Sequence, residues 1–382
     1  MIVEGVERRE IPGRSRVRLE AGVRHDDGRR ETVWIEVPDG TPSDADERGD
    51  AWACALLPLA VTRGEPLRIA APVDRGLLEN LGRLMEVWHT WDAALAPVEL
   101  ECETVAVDGA GSDDAAFFSG GVDSLFTLLR DRSALGPGDR VDVGCVVTVH
   151  GFDIPIGARA AFRRLEASHR GFAEDRGLEL LPVATNLRQT RWAEADWATL
   201  AHGAGFAAVA HALAPRIRSV RLAASSGFRD LRPWGSHPHT DPLFSSARLS
   251  IAHDGPEVRR LDKLALIATD AAALATLRVC WRSGTDRNCG RCVKCLRTLA
   301  GLELLGVRSA ATSFPPDAWS LEYLETVEID GPWDVRELGD LQELAARTGR
   351  RDIQRAIETA LDPRPRPTWW GRFRRKRTRV GG

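Results

Sequence analysis

The chain has 382 residues, 43% hydrophobic and 28% charged, the balance of an ordinary globular protein with room for two or three domains. No run approaches the ~20 apolar residues of a membrane span, and the charged start MIVEGVERRE lacks the apolar core of a secretion signal, so no membrane span and a cytoplasmic location are expected. The net charge of −3 is uneven, because eight basic and no acidic residues follow Asp362 and leave −11 on the remainder, and of 52 Lys+Arg only Lys263, Lys294 and Lys376 are lysine.

In chain order, alternating apolar and polar residues over 16–25 and 30–37 flank the turn Asp26-Asp27-Gly28 and predict a β-hairpin. Leu77, Leu78, Leu81 and Leu84 then recur at helical spacing within 72–88. Residues 1–108 therefore read as an N-terminal α/β domain with no evident chemistry. From 109 to 308 the pattern changes to short apolar runs (AAFF, VGCVVTV, LELLPVA, SVRLAAS) separated by helical segments, which predicts an α/β, doubly wound parallel sheet. Ligands of such sheets gather at the carboxyl ends of the strands. Residues 309–362 read as a helical C-terminal region, and 363–382, rich in Pro and Arg, as a basic disordered tail.

The first apolar strand ends in Ser119-Gly120-Gly121-Val122-Asp123-Ser124, followed by an apolar helix. Successive backbone N–H groups at such a turn form an anion cradle aided by the helix dipole. Gly120 and Gly121 permit close approach of a phosphate, Ser119 and Ser124 add hydroxyls, and Asp123 could hold Mg²⁺ carried by the same phosphates. A capped strand-to-helix turn is the plainer alternative. The turn has neither the spacing nor the lysine of a Walker loop.

Further on, CWRSGTDRNCGRCVKC places Cys280, Cys289, Cys292 and Cys295 at spacing C-x8-C-x2-C-x2-C. Four thiolates from short C-x2-C steps suit a closed tetrahedral Zn²⁺ site, with an iron–sulfur cluster as the competing occupant. Gly290 falls where a knuckle needs unusual backbone angles. Cys54, Cys102 and Cys145 are isolated in sequence; Cys145 lies inside an apolar run and reads as packing.

The six-residue turn resembles the signature of the PP-loop ATP pyrophosphatases. With the cysteine pattern, it resembles the 7-cyano-7-deazaguanine synthase branch of that superfamily over about residues 113–307. The resemblance implies that Ser119 to Ser124 grip the pyrophosphate of ATP, and that Asp123, Ser124 and Lys263, in an Asp-Lys pair before the cysteines, are catalytic. It also places His150 and Asp153, after VVTVHGFD, beside the nucleotide. His202 stands where that branch would have an arginine, and its deazaguanine loop is replaced by SSGFRDLRPWGSHPHTDPLF. Arg229, Trp234, His237 and Asp241 in that stretch, together with His150, Asp153 and His202, form the expected substrate pocket; a loop fixed by its prolines is the alternative.

These readings converge on an ATP-dependent ligase that adenylates a small-molecule carboxylate, a 7-deazaguanine being one candidate, and passes it to ammonia or another amine donor. The expected bound groups are ATP, Mg²⁺ and Zn²⁺. Alternatives are a thiolase that modifies nucleic acid through its basic tail and a non-catalytic ATP-binding module. The terminal Val-Gly-Gly also admits a protein acceptor, and a homodimer is compatible with the sequence.

Overall fold

The computed structural model describes residues 1–362 apart from 12, 14, 42–47, 107–108, 110, 131–141 and 283; the basic tail expected over 363–382 lies outside the described residues. Strands β1 (Ile2–Glu10), β2 (Arg16–Arg24), β3 (Arg30–Pro38), β4 (Leu67–Asp74), β5 (Leu100–Val105), β6 (Asp113–Phe117), β7 (Cys145–His150), β8 (Glu179–Thr185), β9 (Ile217–Ala223) and β10 (Ser250–Asp254) form one sheet. Their spatial order is β10-β9-β6-β7-β8-β3-β2-β1-β4-β5. The β10 to β8 half is parallel throughout. Its first strand, β6, sits at the middle, so the chain winds outward first through β7 and β8 and then through β9 and β10. That reversal puts a crevice at the carboxyl end of β6, where Ser119 begins the glycine-serine turn.

The predicted hairpin is β2 paired antiparallel with β3. It does not close a separate sheet: Ile35 and Glu36 of β3 pair antiparallel with Thr185 and Ala184 of β8. The boundary expected near residue 108 therefore does not divide the sheet.

The helices are α1 (Asp50–Arg63), α2 (Arg75–Trp91), α3 (Val122–Leu129), α4 (Arg159–Glu174), α5 (His202–Leu213), α6 (Arg260–Ile267), α7 (Ala271–Thr276), α8 (Val293–Leu304), α9 (Leu321–Glu325), α10 (Pro332–Arg347) and α11 (Arg351–Leu361). The sequence places the start of α2 at 72, but Pro72 and Val73 belong to β4, and the helix begins after Asp74, whose carboxylate caps it by accepting from Leu77 N at 2.9 Å. Helix α1 is buried from Asp50 to Val61 on every side, so it shows no amphipathic period. It packs against α5, and both helices contribute to one apolar core with Val147 and Val183 of the parallel strands. The neighbouring residues Val146 and Leu180 face the opposite core, with Leu125 and Leu299. The parallel strands are thus buried on both faces, which is why they read as unbroken apolar runs.

Trp192, in the segment after β8, ties the parallel half to α1: it is 1% exposed, and its Nε1 donates to Ala55 O in α1 at 2.6 Å. Trp192→Phe, which removes that bond and leaves a partial void, should cost about 1–2 kcal/mol. Denaturant unfolding should show the loss in one transition shared by both ends of the chain; two separate transitions, only one of them shifted, would contradict the continuous core.

Candidate ATP and metal sites

At the end of β6 the turn folds onto itself. Ser119 N donates to Ser124 Oγ at 3.3 Å, Gly121 N donates to Ser119 Oγ at 3.3 Å, and Ser124 Oγ donates to Gly121 O at 3.1 Å. Ser119 remains exposed. Gly120 has φ +71°, and a Cβ there would stand 3.0 Å from both His169 Nε2 and Thr276 O, so the position excludes a side chain. Gly121 caps α3, and the first helical N–H groups after it have no acceptor within the helix. Ser119 to Ser124 therefore form one self-bonded turn at the switch point of the sheet.

Asp123, in the first turn of α3, holds two cations: Arg260 Nη1 donates to its Oδ2 at 2.6 Å, and Lys263 Nζ to its Oδ1 at 3.4 Å. Burial opposes the charge of this carboxyl, but the attraction of Arg260 and Lys263 outweighs it and holds the pKa below the ordinary value. Lys263 is 2% exposed and is fixed by a second bond, to Ala224 O after β9, at 2.6 Å. The sequence signalled Lys263 but not Arg260, which lies one turn earlier on the same face of α6. Arg260 continues to Glu337 of α10 at 3.4 Å, and Glu337 to the buried Arg297 of α8 at 2.8 Å. Arg297 in turn pairs with Asp334. The C-terminal helices are thereby wired to the turn through alternating charges.

A cavity of about 170 Å³ opens beside Asp123 and Lys263, between Ser225 and Phe228 on one side and Trp333 and Glu337 on the other. Arg229 lines it, whereas His150, His202, Trp234, His237 and Asp241 do not. His150 stacks on Phe162 with centroids 4.3 Å apart and hydrogen-bonds Pro155 O. Burial lowers its pKa. His202 Nδ1 donates to Trp197 O at 2.8 Å, and its ring lies edge-on to Trp234. Asp241, fully buried, accepts from Ser236 Oγ, His237 N and His253 Nδ1, while the His237 ring meets Trp91 of α2. Of the expected pocket residues, Arg229 alone reaches this cavity, and residues 234–241 brace their own loop. Asp153 approaches Arg278 Nη1 at 3.6 Å on the far side of the turn.

Cys280, Cys289, Cys292 and Cys295 converge, all four sulfurs lying within 4.8 Å of one another. The N–H groups of Arg291 and Cys292 donate to Cys289 Sγ at 3.4 and 3.3 Å. Hydrogen bonds from the Cys292 and Cys295 thiols pull the Cys280 pKa far down, and the same contact pushes Cys292 up to about 11. Gly290 turns the knuckle at φ +69°, where a Cβ would collide with Ala318 Cβ at 2.6 Å. Four convergent, largely buried sulfurs with N–H donors fit a tetrahedral metal such as zinc, so the cluster can hold the expected metal. Magnesium does not fit the turn directly, because both oxygens of Asp123 are occupied by cations.

Burial raises the pKa of Cys54 and Cys102 and pushes that of Cys145 up to about 12, which suppresses the thiolate a sulfur-transfer enzyme would need at any of the three. No described helix is long and apolar enough to cross a membrane. Comparison of the chain with known protein families, curated proteins and solved structures found no match.

Proposed function

We propose that the chain is an ATP-dependent, AMP- and pyrophosphate-forming ligase of the PP-loop type, which adenylates a carboxylate and passes it to ammonia or an amine to give an amide or nitrile. The observation that carries this reading is the Ser119 to Ser124 turn at the sheet's switch point, with the buried Lys263 fixed beside it and a cavity adjoining both. An acceptor carboxylate in that cavity would attack the α-phosphorus while the bond to pyrophosphate breaks. The helix amides and the Ser119 hydroxyl would receive the leaving pyrophosphate, and Lys263 and Arg260 would offset its growing charge. The amine nitrogen then attacks the acyl carbon, AMP leaves with the bonding pair, and the amine proton passes to solvent, giving the amide. A nitrile would need ammonia as donor and a second ATP, whose α-phosphorus the amide oxygen attacks with loss of pyrophosphate, after which that oxygen departs in AMP as the nitrogen gives up its two protons. Magnesium enters on the phosphates of ATP as part of the substrate. The cysteine cluster, whose Cys295 lies in α8, would hold zinc structurally.

The test is mass spectrometry of the products after incubation with Mg·ATP, ammonium and 7-carboxy-7-deazaguanine. The expected result is AMP together with an amide or nitrile; AMP formed only with another carboxylate would change the acceptor and keep the chemistry. ATP bound but left intact across a carboxylate panel would replace the enzyme with a binding module.

A further inference from the structure

The turn is covered by a segment that belongs to the cysteine knuckle. Residues 276–280 cross over Gly120 on their way from α7 to Cys280: Thr276 O lies 3.0 Å from the point a Gly120 Cβ would occupy, and Arg278 Cβ lies 3.6 Å from it. Arg278 N donates to Gly120 O at 2.7 Å. The segment is held by Asn288, whose Oδ1 accepts from Val279 N and Cys280 N at 2.9 and 3.2 Å and whose Nδ2 donates to Leu277 O at 2.9 Å. Asn288 immediately precedes Cys289, so the metal ligands and the cover of the turn are one unit.

Within that unit Arg278 is 6% exposed, and its Nη2 has no hydrogen-bond partner among the described residues. Its Nε donates to Thr285 O at 3.0 Å, and Nη1 stands 3.6 Å from Asp153 Oδ2, an ion pair on one edge only. A buried guanidinium with an idle N–H keeps its desolvation cost uncompensated unless something completes it. The next polar atom at the same place, His169 Nε2, is also buried and has no partner among the described residues. Thr148 Oγ1 gives its proton to Phe118 O and therefore accepts from His169 Nδ1, which leaves Nε2 an acceptor, yet no hydrogen bond joins it to Arg278 Nη2.

Building on the phosphate-binding reading of the turn, we infer that Arg278 is a further pyrophosphate-contacting residue, carried to the turn by the metal knuckle, so that the metal site sets the loop's grip on the leaving group. A planar guanidinium offers paired N–H donors to phosphate oxygens, and it would add to Lys263 and Arg260 a cation from a separate segment of the chain.

The experiment is calorimetric titration of the full, metal-loaded chain with inorganic pyrophosphate, with melting temperature and metal content recorded for each variant. Arg278→Met should weaken binding about 10- to 100-fold, the worth of one buried charged hydrogen bond, with metal retained. Arg278→Lys should recover part of the loss, and Arg282→Met, which removes an exposed charge four residues on, should bind as the wild type. Unchanged affinity in Arg278→Met overturns the inference, as does equal weakening in the Met and Lys variants accompanied by metal loss, which would make Arg278 a packing residue of the knuckle. A wild-type chain that binds no pyrophosphate would overturn the reading of the turn itself along with it.

Discussion

Asp123→Asn is expected to lower AMP formation at least about 100-fold while leaving metal content intact, a loss of the size seen when one preorganised charge contact is removed from an active site. The carboxylate fixes Arg260 at 2.6 Å and Lys263 at 3.4 Å, and Lys263 is almost fully buried. An amide of the same shape cannot neutralise two cations, so both would shift, and the site would lose the geometry in which they meet the departing phosphates. The charge also leaves a signature in acid. Because the folded state holds the Asp123 pKa below its ordinary value, the pair stabilises the fold above the unfolded pKa of about 3.9, and that stability disappears as pH falls through the lower folded value. Thermal melts between about pH 3 and pH 7 should show the wild type losing more stability below about pH 4 than Asp123→Asn does. Turnover retained in Asp123→Asn would sink the catalytic reading, and an unchanged acid limb would remove the ion pair from the account.

Elements that alternate or that end in punctuation were legible before the structure: the β2–β3 hairpin, the apolar strands of the parallel half, the helices of the C-terminal region, and the four cysteines. Helix α1 was not, because a segment buried on all sides carries no period, and Pro58 within it reads as a breaker. Nor was the pairing of β3 with β8, a contact between segments about 150 residues apart that no local pattern encodes. The candidate site divides along the same line. The turn and Lys263 stand out locally, one by its glycines and the other as a lysine in an arginine-rich chain. Arg260 and Arg278 vanish among the many arginines, and the contribution of α10 to the cavity depends on tertiary packing alone. The histidines of 150–239 attracted attention by type, but type does not reveal burial: His150, His202 and His237 are held by carbonyls and rings of their own neighbourhoods.

If the four cysteines hold a metal, stripping it should do more damage than any single change in the cavity. Cys280 and Cys295 are at most 1% exposed and sit in the same apolar core as Leu125 of α3 and Leu299 of α8, so the knuckle is embedded where the turn's helix is anchored. Cys295→Ser removes the sulfur nearest Cys289, at 3.8 Å, and leaves a buried hydroxyl among three thiols. The expected loss exceeds about 4 kcal/mol, the range reached when a structural metal site is destroyed, and it should appear as a fall in melting temperature together with loss of bound metal by elemental analysis. Because Asn288 and Arg278 couple the knuckle to Gly120, pyrophosphate binding should fail in the chelated protein at temperatures where it is still folded. Equal melting temperatures with and without chelator would reduce the four cysteines to core packing. The occupant itself is decided by the spectrum of anaerobically purified protein: a colourless chain with stoichiometric zinc supports a closed structural site, whereas visible absorption from iron and sulfide would transfer the cluster to redox or sulfur chemistry and reopen the question of what the turn serves.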